Sequence, residues 1–134
     1  MGLGEAVIVA GIGCRKGATQ AQIEAAITEA LERIGRPLAR IDLIATSAGK
    51  REEAGIVAAA GARKLPVKFV HQADLEIAGA RGTTWSQRVL ALAGVPSVAE
   101  AAALAAAGPK ARLILPRIVA GPVTCALASD EADA

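Results

Sequence analysis

The chain has 134 residues, the size of one domain, and its fifteen Lys and Arg against thirteen Asp and Glu give a net charge of only +2. The cations are dispersed, and without a basic stripe or an aromatic platform nucleic-acid binding is not expected. No stretch approaches the roughly 18 consecutive apolar residues of a membrane span, and no basic segment typical of a signal peptide precedes the first apolar run. We therefore expect one cytoplasmic domain, residues 1–134, without a nucleic-acid or membrane partner.

Cysteine and histidine usage bears on redox state and metal binding. The chain contains two cysteines, Cys14 and Cys125, and an unexported domain with a core of its own favours reduced thiols over a disulfide. The single histidine, His71, has no clustered companions from which a metal site could be assembled. We expect neither a metal nor a cofactor.

The N-terminal third of the chain predicts a strand, a turn and a helix. Residues 6–10 form a continuous apolar run, typical of a strand buried on both faces in a parallel sheet. The run ends at Gly11, where a glycine-containing turn, residues 11–17, begins. Thr19 and Gln22 form a capping-box signature, and apolar residues then recur at helical spacing until Gly35.

Two further strands follow. Residues 41–46 predict the second strand, and Glu53 then lies in the predicted first turn of a helix, where the macrodipole favours carboxylates. Pro66 precedes a third apolar run, residues 67–70. These elements complete a β-α-β-α-β unit, in which three parallel strands are expected.

The second half of the chain is less regular. Residues 72–84 have no clean period and predict a loop with one short turn at 73–77. A helix is predicted from Trp85 to near Gly94, and an Ala-rich helix follows with Ser97 as its N-cap and Glu100 as the capping-box partner.

A hairpin closes the chain. Residues 113–119 and 123–127 are β-branched, apolar runs joined by a short turn, and the hairpin should lie at one side of the sheet. Residues 129–134 should be a frayed tail. The fold class predicted is α/β, a three-layer α-β-α domain with a mixed, mostly parallel sheet of about five strands and a C-terminal hairpin.

A candidate site follows from this topology. In an open parallel sheet, strand C-termini face the N-termini of the following helices, so this edge attracts anions. The order of elements brings Arg15, Lys16 and Lys50 to one rim. A dinucleotide-binding interpretation of the glycine turn is weaker, because Gly11-x-Gly13-x-x-x-Gly17 has one residue too many and no acidic residue ends the second strand.

Several polar residues near this rim have both a chemical and an ordinary structural interpretation. Cys14, just before a helix N-terminus, could be an activated nucleophile or a small turn residue. Lys50 and Glu53 could serve chemistry or form a surface pair on one helix face. His71 could be a catalytic group or a polar strand end, and Glu100 a ligand-binding or a capping residue.

Four ordered blocks of sequence carry a more specific signal: residues 9–17; residues 44–46 followed by Lys50, Glu53 and Gly55; residues 97–104; and residues 123–126. Together they resemble the CobE/CbiG C-terminal domain family, and they span nearly the whole chain. The Gly-x-Gly-Cys-Arg and Ser-Val-Ala-Glu-Ala elements are the most specific. One departure is Ala48-Gly49 ahead of Lys50, where the family pattern implies bulkier residues before the lysine.

The resemblance implies a part in building the corrin ring of cobalamin. We expect an accessory or carrier protein for a polycarboxylate precorrin or corrinoid intermediate. The candidate ligand-binding residues are Gly11, Gly13, Cys14, Arg15, Lys16, Thr46, Ser47, Lys50, Glu53 and Glu100. For the apolar ring face, Leu75, Ile77 and Trp85 are candidates.

Two alternatives stay open. In the first, the protein is an enzyme that assists lactone opening or rearrangement of a precorrin. The catalytic candidates are then Cys14, Lys50, Glu53 and His71. In the second, it docks on another corrin-pathway enzyme through its Ala-rich helix. The sequence does not indicate an oligomeric state.

Overall fold

Five strands form one sheet: β1 (Ile8–Cys14), β2 (Leu43–Ser47), β3 (Val67–Val70), β4 (Arg112–Ala120) and β5 (Val123–Ser129). The computed structural model describes residues 7–35, 41–50, 53–79, 98–109 and 111–130. The strand order is β3-β2-β1-β5-β4. Strands β1, β2 and β3 are parallel, whereas β5 is antiparallel to both β1 and β4. The predicted mixed sheet with a C-terminal hairpin at one side is confirmed.

Helices cover both faces of the sheet: α1 (Gln20–Arg33), α2 (Ala54–Arg63), α3 (Gln72–Gly79) and α4 (Val98–Ala107). Side chains alternate along β1, so that Ile8, Ala10 and Ile12 join the core cluster of α1 and α2. Val9 points the other way, into the cluster of α3 and α4. This arrangement confirms the three-layer α-β-α architecture. None of the described helices has the length and apolar character needed to cross a membrane.

Helix α1 begins as the sequence predicts. The Thr19 side chain accepts a hydrogen bond from the Gln22 backbone N–H, and the Gln22 side chain accepts one from the Thr19 N–H. Ile23, Ile27 and Leu31 are buried on one face of the helix. The capping box and the amphipathic period therefore both specify this element.

The prediction for residues 72–84 was partly wrong. Instead of a short turn at 73–77, the chain forms the eight-residue helix α3. Its Leu75 and Ala78, three residues apart, are buried in the cluster that includes α4. Packing on a tertiary neighbour stabilises a helix whose own periodicity is weak. The predicted helix from Trp85 to Gly94 and the N-cap Ser97 lie outside the described residues.

Strand β1 is longer at its C-terminal end than predicted, because it does not stop at Gly11. It continues through Cys14, which pairs with Val123 at the beginning of β5. The antiparallel partner supplies ladder hydrogen bonds along residues 8–14, and these outweigh the low strand propensity of the glycines. The glycine turn is thus shorter than predicted.

Gly11 also determines how closely α4 approaches the sheet. A Cβ atom on Gly11 would clash with the carbonyl oxygen of Ala99 and would lie 2.8 Å from the Ala103 Cβ. The absence of a side chain therefore allows the α4 backbone to rest on β1.

The Ala-rich helix α4 is an interior element. Residues 99–104 are all buried, and α4 contacts β1, β2, β5 and α3. The expectation that this helix offers a docking face to another enzyme was wrong, because its small side chains serve close packing within the domain.

The C-terminal tail begins later than predicted. Ser129 is a buried residue of β5 and pairs with Ile8. The Asp130 carboxylate then accepts a hydrogen bond from the Val7 N–H at 2.9 Å. Residues 131–134 lie outside the described part of the chain.

Both cysteines are thiols and not a disulfide, as predicted. Cys125 is completely buried in β5, and burial raises the pKa of its thiol from 9.0 to about 12. Desolvation disfavours the thiolate, so this side chain acts as a small apolar core residue.

Replacing Gly11 by Ala should destabilise the domain by at least about 2 kcal/mol, because the new methyl group displaces α4 from β1. Gly61→Ala is the matched control, since Gly61 lies in α2 and a Cβ added there would meet nothing within 4 Å beyond the backbone of its own helix. That change should stabilise the helix by up to about 1 kcal/mol. Urea unfolding measures both, and equal midpoints for Gly11→Ala and the parent would contradict the close packing of α4.

Burial of Cys125 also predicts a pH dependence of stability. Because folding raises the pKa of the Cys125 thiol, the contribution of this group to the free energy of unfolding is fully present below pH 9. It is lost as the pH rises toward 12. The slope should approach about 1.4 kcal/mol per pH unit in that window. Unfolding free energies of the parent and of Cys125→Ala across pH 8–11 isolate this term, since all other titrating groups are shared. Parallel curves would contradict it.

Candidate functional site

The candidate site lies where the three parallel strands end. Cys14, Ser47 and Val70 are the last residues of β1, β2 and β3, and the parallel pairing places them on the same edge of the sheet. The turn between β4 and β5, residues 121–122, joins them there because Cys14 pairs with Val123. We call the region formed by these three strand ends and this turn the carboxyl edge.

Four described helices begin at the carboxyl edge. Helices α1, α2 and α3 follow β1, β2 and β3 in the chain, and α4 has its first turn there because Ala99 lies against Gly11. Helix N-termini carry a partial positive charge and N–H groups directed outward along the axis. The edge is therefore electropositive from its backbone alone.

The side chains of Arg15 and Lys16 add to this field. Arg15 and Lys16 are exposed immediately after β1. The Arg15 backbone N–H donates to the Pro122 carbonyl at 2.9 Å, which holds the loop against the hairpin turn. Lys50 ends a 3-10 turn, Ala48–Lys50, that directly follows β2. The structure thus brings the three predicted cationic positions to one edge.

Other predicted ligand-binding residues lie beneath this surface. Gly11 is buried under α4, and Thr46 is fully buried. The Thr46 hydroxyl donates to the Ile12 carbonyl at 2.7 Å, which ties β2 to β1. We therefore correct the ligand-binding prediction for Gly11 and Thr46 to a packing role. Ser47 is half-buried at the end of β2.

Glu53 joins α2 to the loop after β1. It is the N-cap of α2 and not a first-turn residue, and its Oε1 accepts a hydrogen bond from the Gly17 N–H at 3.0 Å. Two residues on, Gly55 allows α2 to approach the Ala18 carbonyl, which a Cβ would clash with. A pocket of about 360 Å³ remains between the starts of α1 and α2.

This geometry also corrects the prediction that Lys50 and Glu53 share one helix face. Lys50 belongs to the 3-10 turn, whereas Glu53 caps the separate helix α2. The Glu-x-Gly part of the second sequence block therefore has a structural function, the docking of α2 against the β1–α1 loop.

Glu100 has a similar anchoring role. It is buried in the first turn of α4, and its Oε2 accepts a hydrogen bond from the Arg117 N–H of β4 at 3.2 Å. The contact links α4 to the edge strand of the sheet. Its predicted capping partner, Ser97, is outside the described residues.

The four catalytic candidates are distributed along the edge. Cys14 ends β1, Lys50 and Glu53 follow β2, and His71 is exposed after β3. Because β2 lies between β1 and β3, the strand ends that carry Cys14 and His71 are about 10 Å apart. This spacing does not preassemble them as a nucleophile and base, which need contact within about 3.2 Å.

The predicted apolar wall is only partly exposed. Leu75 is buried in the cluster that α3 shares with α4, while Ile77 is 66% exposed. Trp85 is not among the described residues. In the part of the chain that the structure describes, no group of three or more His, Cys, Asp or Glu is placed to hold a metal ion.

The contribution of the hairpin turn to the site was not predicted from the sequence. A second pocket, of about 250 Å³, lies between the end of β1 and the β4–β5 turn, and Val119 and Thr124 line it. The available signal was the fourth sequence block, residues 123–126. Its place in the site becomes evident only from the antiparallel pairing of β5 with β1.

Fold and site together define an α/β domain in which helix N-termini and the exposed Arg15 and Lys16 share one edge of the sheet, and comparison with known proteins gives its family. The family model described as "Cobalamin synthesis G C-terminus" matches residues 8–128. The chain belongs to this family, and the predicted membership is confirmed. It is a cobalamin biosynthesis protein.

Individual relatives agree with this assignment. A curated protein from Sinorhizobium sp, "Protein CobE", is 36% identical over 121 residues, which cover 90% of this chain and 79% of the relative. The crystal structure of cobalamin biosynthesis protein chiG from Agrobacterium tumefaciens is 48% identical, with a TM-score of 0.75 over 91% of this chain and 97% of that one. A crystal structure of CobE, a protein from the cobalamin biosynthetic pathway, is 35% identical, with a TM-score of 0.78 over 92% and 93%.

The Glu53–Gly17 contact predicts a local effect on the β1–α1 loop. Glu53→Ala should destabilise the domain by about 1 kcal/mol, because it removes a charge-assisted hydrogen bond to a backbone N–H. It should also speed hydrogen exchange at the Gly17 amide. Glu32→Ala, an exposed carboxylate on α1, makes the same change of charge and should leave that amide unaltered. Unchanged Gly17 exchange in Glu53→Ala would contradict the anchoring role.

Proposed function

We propose that this cobalamin biosynthesis protein binds a polycarboxylate corrin-ring intermediate at its carboxyl edge, as a cytoplasmic accessory or carrier protein. The observation that carries the proposal is the convergence of exposed Arg15 and Lys16 with four helix N-termini on one edge. Membership of the family supports the pathway, and the positive groups at the edge support this mode of binding.

The chemistry of the ligand matches the charge of the edge. Precorrins and corrinoids carry several acetate and propionate arms, so they present a ring of carboxylates around an apolar macrocycle. Contacts of carboxylates with guanidinium, ammonium and backbone N–H groups are charge-assisted and about twice as strong as neutral hydrogen bonds. Several such contacts along one edge can hold a ligand with several anionic arms.

The arrangement of side chains favours binding over catalysis. The Glu53 carboxylate is engaged with the Gly17 N–H, and Cys14 and His71 belong to strand ends separated by β2. An edge with anchored loops and exposed cations suits a carrier protein, which holds a ligand after one enzyme releases it and before the next enzyme takes it up.

Titration with two related corrins tests the proposal. Cobyrinic acid, whose arms are carboxylates, should bind saturably, whereas cobinamide, whose arms are amides on the same ring, should bind at least about tenfold more weakly. Arg15→Ala should weaken cobyrinic acid binding by about tenfold and reduce its salt dependence. Absorbance and fluorescence titrations measure both affinities.

Arg112→Ala is the matched control for Arg15→Ala. Arg112 is exposed and pairs with Ser129, whose other neighbour is Ile8 at the start of β1, so it lies at the opposite edge of the sheet. Its removal changes net charge equally and should leave affinity within about twofold. Absence of saturable binding at micromolar protein would exclude the proposal, and progressive conversion of the corrin would favour an enzyme instead.

A further inference from the structure

The pocket beside the hairpin turn is a candidate for a defined part of the ligand. It has a volume of about 250 Å³ and lies between residues 13–15 at the end of β1 and the turn residues Gly121 and Pro122, with Val119 of β4 and Thr124 of β5 completing its wall. Pockets that enclose whole drug-sized ligands measure about 300–1,000 Å³. This one is too small for a macrocycle and large enough for one of its arms.

The walls of this pocket are held in place by the fold. The Arg15 N–H donates to the Pro122 carbonyl at 2.9 Å, and the Thr124 hydroxyl donates to the Gly13 carbonyl at 3.2 Å. Cys14 and Val123 are ladder partners directly below the turn. A pocket whose walls are already ordered loses little conformational entropy when a ligand enters.

The chemistry of the lining is that of a receptor for a short aliphatic acid. Val119 is 65% exposed, so its apolar surface is accessible to a ligand, and Pro122 adds a second apolar surface. Arg15 is the cation among the described residues that line the pocket, and none of those residues is acidic. Methylene groups can contact the valine and proline while a terminal carboxylate meets the guanidinium.

We propose that this pocket receives a single acetate or propionate arm of the macrocycle, so that the ring itself lies outside, across the carboxyl edge. The inference rests on the proposed function and adds to it the position and orientation of the ligand. Val119 then selects for an arm with an aliphatic stem, and Arg15 for a carboxylate at its end.

A charge series at Val119 tests the inference with cobyrinic acid as the probe. Val119→Glu should weaken binding by at least about tenfold relative to Val119→Gln, because the Gln side chain is nearly the same size as Glu but carries no charge. Val119→Lys should tighten binding or leave it unchanged, so the series remains informative if one variant folds poorly. Because Val119 is exposed, all three should retain the parent circular dichroism spectrum and urea midpoint.

The control separates a local effect from general repulsion of a polyanion. Ala62→Glu introduces the same charge at an exposed position near the C-terminal end of α2, which is the helix end remote from the carboxyl edge, and should change affinity by less than about threefold. If Val119→Glu binds as well as Val119→Gln or Ala62→Glu while the parent binds, the pocket inference fails and the proposed function stands. If the parent itself does not bind cobyrinic acid, both fail.

Discussion

The contact of α4 with the glycine end of β1 is the packing constraint on which the rest of the structure depends. A backbone rather than a side chain meets the Ala99 carbonyl, because Gly11 has no Cβ. The helix can then cover β1, β2 and β5 with a buried surface made mostly of alanines, and its first turn is held at the carboxyl edge. The Glu100 carboxylate, bonded to the Arg117 N–H, extends the same contact to the last strand. Without this close approach, α4 would not contribute its N-terminus to the site.

The sequence blocks that identify the family divide into residues that build the edge and residues that face outward from it. Gly11, Thr46, Glu53, Gly55 and Glu100 belong to the first group, since each is buried or engaged with backbone. Arg15 and Lys16 belong to the second, because both are exposed. A match to these sequence blocks therefore reflects mostly the residues that build the fold. The few exposed cations within the blocks are the residues that bear on function.

Electrostatics and shape act together at this edge. Four helix N-termini and nearby cationic side chains attract anions without selecting among them. Selection needs a shaped pocket, and the hairpin turn provides one beside Arg15, with Val119 and Pro122 as apolar walls. An anionic macrocycle with aliphatic arms satisfies both requirements, whereas an inorganic anion would leave the apolar walls unused.

By itself, the sequence determined the class of fold, the order of most elements and the family. Continuous apolar runs, helical spacing, the Thr19–Gln22 capping box and the hairpin turn are local signals. Such signals can be recognised without knowing which residues lie nearby in the folded chain. The convergence of Arg15, Lys16 and Lys50 also followed from topology. Only the tertiary structure decided that Gly11 and Thr46 are interior, that Glu53 binds the Gly17 N–H, and that Thr124 and Val119 border a pocket. These features depend on which strand pairs with β1 and how closely α4 approaches it, and both are set by contacts between residues far apart in the chain.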